Sequence, residues 1–374
     1  MYPALAVLQA IDNEKVVITR AESQSAVQTG ELSVLWVGSL GGMEQDLVKR
    51  AGLPFRAIPA AGLHGVGLRA LPGNLARLIR GFFQSRQILK EFRPDVIFFT
   101  GGYVAAPMAL AGRSVPMAVY VPDIEPGMAL KVLAKFVDLI MVTAEASKSY
   151  FSSKASVLVT GYPTRQELKV WNKAQAFEVF ALEKDLPVLL VFGGSSGARS
   201  INQALWTILP DLLREMQIIH VTGNLDWKEA SDRLAEIQIQ LPAELKSRYH
   251  PYPYLHAEMG AAFTAANLVL ARAGASTLGE FPAFGLPAIL VPYPHAWRYQ
   301  QVNAEYLEKA GAAKILPDVE MKTKLLPLVS ELMANQVQLS RMQECMRSLA
   351  QPEAARLIGK ALFDLAAGKG RIKT

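Results

Sequence analysis

Apolar residues in this chain come in short continuous runs, most of them bounded by glycine or proline, with longer amphipathic stretches between them. In the first half the runs are Val34–Val37, Val96–Phe99, Met117–Val121 and Leu139–Val142. In the second half they are Val188–Phe192, Ile218–Val221, Leu268–Leu270 and Ala288–Val291. Helix-length segments such as Met43–Ala51, Asn74–Phe92 and Ala198–Met216 separate most of them. A strand buried on both faces has no polar side to alternate with. Continuous apolar runs alternating with helices therefore predict parallel sheets covered by helices on both faces. The fold class expected is α/β, with two Rossmann-like, doubly wound domains facing each other across a cleft. Gly161-Tyr162-Pro163, after a run of short polar residues, is the expected joint. Met1–Ala6 reads as a helix start, with Pro3 near its first turn. A doubly wound domain opens instead with a strand and a glycine-rich turn. The sequence thus predicts that the first strand and glycine loop of the N-terminal domain are missing.

Composition narrows this picture without redirecting it. At 374 residues the chain suits two α/β domains, and 51% hydrophobic against 19% charged residues excludes a disordered chain. The single cysteine, Cys345, rules out an intrachain disulfide and fits a reducing compartment. A net charge of +6 suits anionic membranes, phosphates or nucleic acid and does not choose among them. No charged and apolar pair of a signal peptide opens the chain, and the apolar runs are too short to span a bilayer.

Four loops carry candidate chemistry. Gly193-Gly194-Ser195-Ser196-Gly197-Ala198 lies directly after an apolar run and directly before a helix. Glycines there let backbone N–H groups at a helix start approach a phosphate; a ligand-free packing turn is the other reading. Gly101-Gly102-Tyr103 follows Val96–Phe99 at a strand's carboxyl end, where open α/β sheets bind ligands. A packing turn fits that loop equally well. Arg272–Glu280 follows Leu268–Leu270, with Ala275, Ser276 and Thr277 opening a helix whose positive end suits a diphosphate. Glu280, one turn in, fits either a ribose hydroxyl pair or a plain first-turn acid. Further on, Pro292–Asn303 is a polar and aromatic loop suited to hydrogen-bonding a sugar. The histidines (His64, His220, His250, His256 and His295) are scattered without metal-ligand spacing, so the expectation is a site without a metal. Leu68–Phe92 joins basic residues, Arg77 and Arg80 among them, to apolar Leu75, Leu78, Ile79, Phe82 and Phe83. That pattern suits an anionic membrane surface or an ordinary domain helix with a solvated basic face.

Taken together, in this order, these segments resemble the MurG family, the peptidoglycan N-acetylglucosaminyltransferases of the GT-B fold. The resemblance runs over nearly the whole chain, with Tyr2–Val7 similar to the helix after the family's first glycine loop. It implies an inverting hexosyltransferase that moves N-acetylglucosamine from UDP-N-acetylglucosamine to lipid I, giving lipid II, at the cytoplasmic face of the membrane. The implied partners are UDP-N-acetylglucosamine, lipid I or a similar polyprenyl-pyrophosphate sugar, and an anionic membrane surface; no nucleic acid and no cofactor are implied. The resemblance places donor binding at Arg165, Gly194, Ser195, Gly197, Tyr254, Leu255, Ala275, Ser276, Thr277, Glu280 and Gln300. It places the acceptor side at Gly101, Gly102 and Tyr103, and a peripheral membrane patch at Leu75, Arg77, Leu78, Arg80, Phe82 and Phe83. The domains expected are an acceptor domain over 1–161, a UDP-sugar domain over 162–350, and a closing helix over 351–374 packed back on the first. Where the family has His-Glu-Gln-Asn, this chain has Tyr120-Val121-Pro122-Asp123, followed by Ile124-Glu125. Asp123 and Glu125 are therefore the carboxylates nominated as general base. Alternatives are transfer to another glycolipid, a UDP-N-acetylglucosamine 2-epimerase-like activity, and an inactive UDP-sugar-binding paralogue.

Overall fold

Residues 2–14, 32–40, 44–60, 71–101, 104–194, 197–294 and 298–368 are described by the computed structural model. Of the predicted site residues, Gly102, Tyr103 and Ser195 lie outside these segments, as do His64, His295 and the 68–70 start of the basic stretch. The chain divides into two compact units. Unit 1 is Met1–Pro122, Pro126–Thr160 and Glu353–Thr374; unit 2 is Asp123–Glu125 and Gly161–Pro352.

Unit 1 contains α1 (Tyr2–Glu14), β1 (Trp36–Ser39), α2 (Glu44–Arg50), β2 (Phe55–Ile58), α3 (Leu71–Phe92), β3 (Ile97–Phe99), α4 (Ala105–Ala111), β4 (Met117–Val121), α5 (Met128–Leu133), β5 (Leu139–Val142) and β6 (Val157–Val159). Its strands form two parallel sheets, β1-β2 and β3-β4-β5-β6. The core between β4, β5 and α4 is built from Val119, Val121, Ile140, Val142, Met108 and Ala109. Tyr120, fully buried, shares a 2.8 Å hydrogen bond with the Thr143 hydroxyl, and that hydroxyl donates to the Pro122 carbonyl at 2.8 Å. The exit of β4 is thereby pinned to β5.

Helix α3 divides its apolar residues between two faces, with Ile88 buried and Leu89 packed on the unit 1 core. Asn74, Gly81 and Ser85 face inward, and the Ser85 hydroxyl donates to the Gly81 carbonyl at 2.7 Å. A Cβ on Gly81 would collide with the Pro59 carbonyl, so only glycine allows this approach. Outward, Leu75, Ile79 and Phe83 are 53%, 51% and 63% exposed and form one i, i+4, i+8 stripe. Leu78 and Phe82 are half-buried, whereas Arg77, Arg80 and Arg86 are exposed.

Unit 2 contains α6 (Lys173–Val179), β7 (Val188–Phe192), α7 (Arg199–Leu212), β8 (Gln217–Val221), α8 (Trp227–Gln240), α9 (Ala243–Lys246), β9 (Tyr249–Tyr252), α10 (Glu258–Ala265), β10 (Leu268–Ala271), α11 (Thr277–Phe284), β11 (Ala288–Leu290), α12 (Tyr299–Lys309), β12 (Ala313–Ile315), α13 (Met321–Ala334) and α14 (Gln336–Ser348). The closing helix α15 (Ala354–Ala366) belongs to unit 1, where Gly359 stacks on Ile11 of α1. The unit 2 sheet is parallel with the order β9-β8-β7-β10-β11-β12. The chain builds outward from β7 through β8 to β9, then returns to β10 beside β7 and builds outward the other way. That is the doubly wound order with its reversal between β7 and β10. Leu189, Val191, Ile218, Leu268, Leu270 and Ile289 are fully buried beneath α7 and α13. Each such side chain contributes about 1.5–3 kcal/mol relative to exposure.

Candidate functional site

A doubly wound sheet offers its ligand crevice where the strand order reverses, outside the carboxyl ends of the two central strands. In unit 2 those strands are β7 and β10, paired from Leu189–Leu268 to Phe192–Ala271. The loops leaving them are 193–198 and 272–276, two of the four loops singled out from the sequence.

The first loop needs its glycines. Gly194 and Gly197 sit at φ +90° and +80°, the left-handed region, and the Gly197 N–H donates to the Gly194 carbonyl at 3.0 Å. A Cβ on Gly197 would collide with the Thr222 carbonyl, which follows β8. Ala198 then caps α7 in an extended conformation, so the chain turns from strand to helix within a few residues.

In the second loop, the amides of Thr277, Leu278, Gly279 and Glu280 fold back onto the carbonyls of Gly274, Ala275 and Ser276 at 2.8–3.1 Å. The Thr277 hydroxyl is also taken up locally, donating to the Gly274 carbonyl at 2.7 Å. Ala275 and Ser276 are left at the opening turn, where the positive end of α11 favours an anion. Gly279 is the place where α11 meets the segment after the joint. A Cβ there would lie 2.5 Å from the Tyr162 ring, so glycine lets Tyr162 pack against the helix.

Arg165, just beyond Tyr162, brings its guanidinium within 3.5 Å of the Glu280 carboxylate and within 3.3 Å of Glu167. Glu280 is buried, which pushes its carboxyl above the usual range, while Arg165 and Ser276 pull it back down. Two residues assigned separately from the sequence are thus one ion pair at the mouth of the β10 loop. A charge-assisted hydrogen bond to a ribose is worth roughly 1.5–3 kcal/mol, so Glu280→Ala should weaken UDP binding about tenfold to a hundredfold. Calorimetry with UDP checks this; unaltered affinity would leave Glu280 as a dipole-complementing acid only.

Two residues that the sequence did not single out as site residues organise the loop. Arg272 is 9% exposed, and its Nη1 donates to Asp318 Oδ2 at 2.6 Å and to the Val291 carbonyl at 3.1 Å. Its Nη2 donates to Ser200 Oγ at 2.7 Å, and that hydroxyl donates in turn to Asp318 at 2.8 Å. One guanidinium therefore ties the loop after β10 to the first turn of α7 and to the loop after β11. Its plane also sits 5.2 Å from the Tyr293 ring. Asn303, fully buried on α12, donates to the Ala273 carbonyl at 3.1 Å and to Asp123 Oδ1 at 2.8 Å, and accepts from the Ile124 N–H at 3.0 Å. It uses every hydrogen-bonding group it has to hold Asp123 beside the β10 loop.

The two nominated carboxylates differ in setting. Asp123 is raised above its ordinary range by burial, with the Asn303 bond opposing the shift. Glu125 pairs with Arg298 at 2.8 Å. Gln300 accepts from the Tyr293 N–H at 2.9 Å, holding the aromatic loop near α12. The Tyr254 ring lies 4.7 Å from the His256 ring at an inclination of 59°, and Leu255 is buried, both beyond β9 and two strands from β7. Gly101, after β3 in unit 1, sits at φ +117°. Among the described residues no group of three His, Cys, Asp or Glu is placed to hold a metal ion, and no helix is long and apolar enough to cross a membrane.

Parallel α/β units, one with a glycine loop and a helix start at its switch point, make up the GT-B architecture, and those two loops suit the diphosphate of a nucleotide sugar. Residues 1–142 match the glycosyltransferase family 28 N-terminal domain and residues 188–358 the family 28 C-terminal domain, and the chain belongs to this family. It is 38% identical to the UDP-N-acetylglucosamine–N-acetylmuramyl-(pentapeptide) pyrophosphoryl-undecaprenol N-acetylglucosamine transferase of Roseiflexus sp. (strain RS-1), over 98% of this chain and 92% of the relative. It is 35% identical to the enzyme of the same name from Desulforamulus reducens, over 95% of this chain and 92% of that one. The crystal structure of Acinetobacter baumannii MurG superposes with a TM-score of 0.71 at 24% identity, covering 97% of this chain and 95% of the other. A putative UDP-N-acetylglucosamine 2-epimerase from Listeria monocytogenes superposes at 0.66 with 13% identity, over 97% of this chain and 92% of the other. At these identities the structural likeness speaks for the shared fold alone.

Proposed function

We propose that the chain transfers N-acetylglucosamine from UDP-N-acetylglucosamine to lipid I, forming lipid II with inversion at the anomeric carbon. The observation that carries this reading is the pairing of two phosphate-suited loops, 193–198 and 272–276, at the switch point of unit 2. The named function of the relatives, similar over nearly their whole length, supplies the acceptor. In this reading the diphosphate lies against the amides of Gly194, Ala275 and Ser276, with Ser195 adding a hydroxyl donor, Gly197 holding the loop through its bond to Gly194, Thr277 closing the second loop and Arg165 adding charge. Glu280 takes the ribose, Tyr254 and Leu255 flank the uracil, and Gln300 reads the sugar. Preorganised donors of this kind stabilise the negative charge that develops on the departing diphosphate without a divalent cation.

Asp123 fits the base better than Glu125, whose carboxylate is engaged by Arg298. Burial raises the proton affinity of Asp123, and Asn303 fixes the carboxylate beside the β10 loop. The acceptor hydroxyl gives its proton to Asp123 as its oxygen bonds to the anomeric carbon, and the bond to UDP breaks. Gly101, Gly102 and Tyr103 are the proposed acceptor side. On unit 1, the Leu75, Ile79 and Phe83 stripe flanked by Arg77, Arg80 and Arg86 suits peripheral binding to the anionic cytoplasmic face of the membrane.

One assay addresses these points. Protein mixed with labelled UDP-N-acetylglucosamine, a lipid I analogue, EDTA and phosphatidylglycerol vesicles is expected to form the disaccharide lipid and to sediment with the vesicles. Serine at Leu75, Ile79 and Phe83 should release the protein from the vesicles. Absence of transfer sinks the acceptor assignment, and sedimentation unchanged by the triple substitution sinks the membrane patch.

A further inference from the structure

We propose that His220 is a positioning residue for the diphosphate loop, acting through Asn202 and the carbonyl of Thr222. The inference rests on the reading that the 193–198 loop grips a diphosphate. His220 lies in β8, fully buried, with both ring nitrogens engaged: Nδ1 is 2.9 Å from the Tyr249 hydroxyl and Nε2 is 2.9 Å from Asn202 Oδ1.

The neighbours decide where the ring proton sits. The Asn202 amide nitrogen donates to the Thr222 carbonyl at 2.9 Å and to Asp226 Oδ2 at 2.8 Å. Its oxygen therefore faces the imidazole, and it can only accept. Nε2 must carry the proton, because the other tautomer would set two acceptors against each other. Nδ1 then accepts from the Tyr249 hydroxyl, whose oxygen accepts from Trp206 Nε1 at 3.1 Å. Burial pushes the imidazole down to about 3, so it stays neutral and the direction of the chain does not change near neutral pH. The hydrogen bonds run one way, from Trp206 through Tyr249, His220 and Asn202 to Thr222.

The chain ends where the glycine loop begins. The Thr222 carbonyl held by Asn202 is the group against which Gly197 packs without a Cβ, and Gly197 in turn bonds back to Gly194. Asn202 itself is in the first turn of α7, the helix that the loop enters. Filling the interior of β8 does not require this polar chain, since apolar side chains of matching shape often serve stability as well or better. What the relay adds is a fixed direction for one carbonyl under the loop, which a polar network with every partner satisfied can specify.

The experiment compares UDP with uridine as ligands of the wild type, His220→Leu, Tyr249→Phe and Trp206→Phe, by calorimetry or competition. Uridine lacks the diphosphate, so it reports the nucleoside pocket and the integrity of the fold. UDP affinity is expected to fall about tenfold in His220→Leu and by a smaller factor in Tyr249→Phe and Trp206→Phe, with uridine affinity unchanged throughout. A parallel loss for both ligands, or no loss for either, overturns the proposal. Should His220→Leu fail to fold, the two milder variants decide it by the same ratio. A wild type that binds UDP no tighter than uridine would remove the loop reading itself, and this proposal with it.

Discussion

Asp123→Asn is expected to lower the rate of sugar transfer by about 10²–10⁴-fold, the usual worth of a positioned base, while leaving UDP affinity within a factor of about two. Asparagine keeps the size and the acceptor oxygen that Asn303 Nδ2 uses, so the segment stays in place. It cannot take a proton. The wild-type pH profile carries a second signature. The base works only when deprotonated, so transfer should fall as pH drops through its pKa. Burial raises that pKa, so the acid limb should stand above the range of an ordinary aspartate. Steady-state rates with saturating donor across the acid range test both parts. Near-normal transfer by Asp123→Asn would return the base to Glu125 or to a group outside unit 2.

Arg272→Leu is expected to cost about 3–5 kcal/mol of stability, the typical loss when one partner of a buried ion pair is removed. The substitution leaves Asp318 without its guanidinium and frees the Val291 carbonyl and the Ser200 hydroxyl from it, all in one spot. For a domain of this size the melting temperature should drop by roughly 10 °C. Arg272→Lys should recover only part of that loss, because an ammonium cannot reproduce the planar fork that reaches Asp318 and Ser200 together. Thermal melts of the two variants beside the wild type check the order. Melting temperatures within about 2 °C of wild type for Arg272→Leu would show that the network contributes little and that the guanidinium faces a ligand instead.

The central strands were legible because burial on both faces writes them as unbroken apolar runs. Met117–Val121, Leu139–Val142 and Val188–Phe192 have the same bounds in the sequence pattern and in the structure. Four strands were not legible: β2, β6, β9 and β12. Among the described residues each lies at the edge of its sheet. An edge strand is covered less and can carry polar residues, as in Phe55-Arg56-Ala57-Ile58, Tyr249-His250-Pro251-Tyr252 and Ala313-Lys314-Ile315, so its pattern fades into that of a loop.

The site divides along the same physical line. By itself the sequence determined that two glycine- or small-residue loops follow apolar strands and open helices, because a turn at positive φ and a close backbone approach demand particular residue types locally. Arg165 and Gln300 came into view only through the resemblance to a family's ordered motifs, as did the choice of a ribose role for Glu280, and periodicity and composition did not mark them. Only the tertiary structure decided that β7 and β10 are neighbours, which makes two distant loops one crevice. It alone revealed that Arg165 and Glu280 are partners, that Asn303 holds Ile124 from 179 residues away, and that Asn202 joins His220 to the Thr222 carbonyl on which Gly197 packs. Such contacts depend on which elements the folded core brings together. A hydrogen bond between side chains far apart in sequence leaves no periodicity for the chain to display.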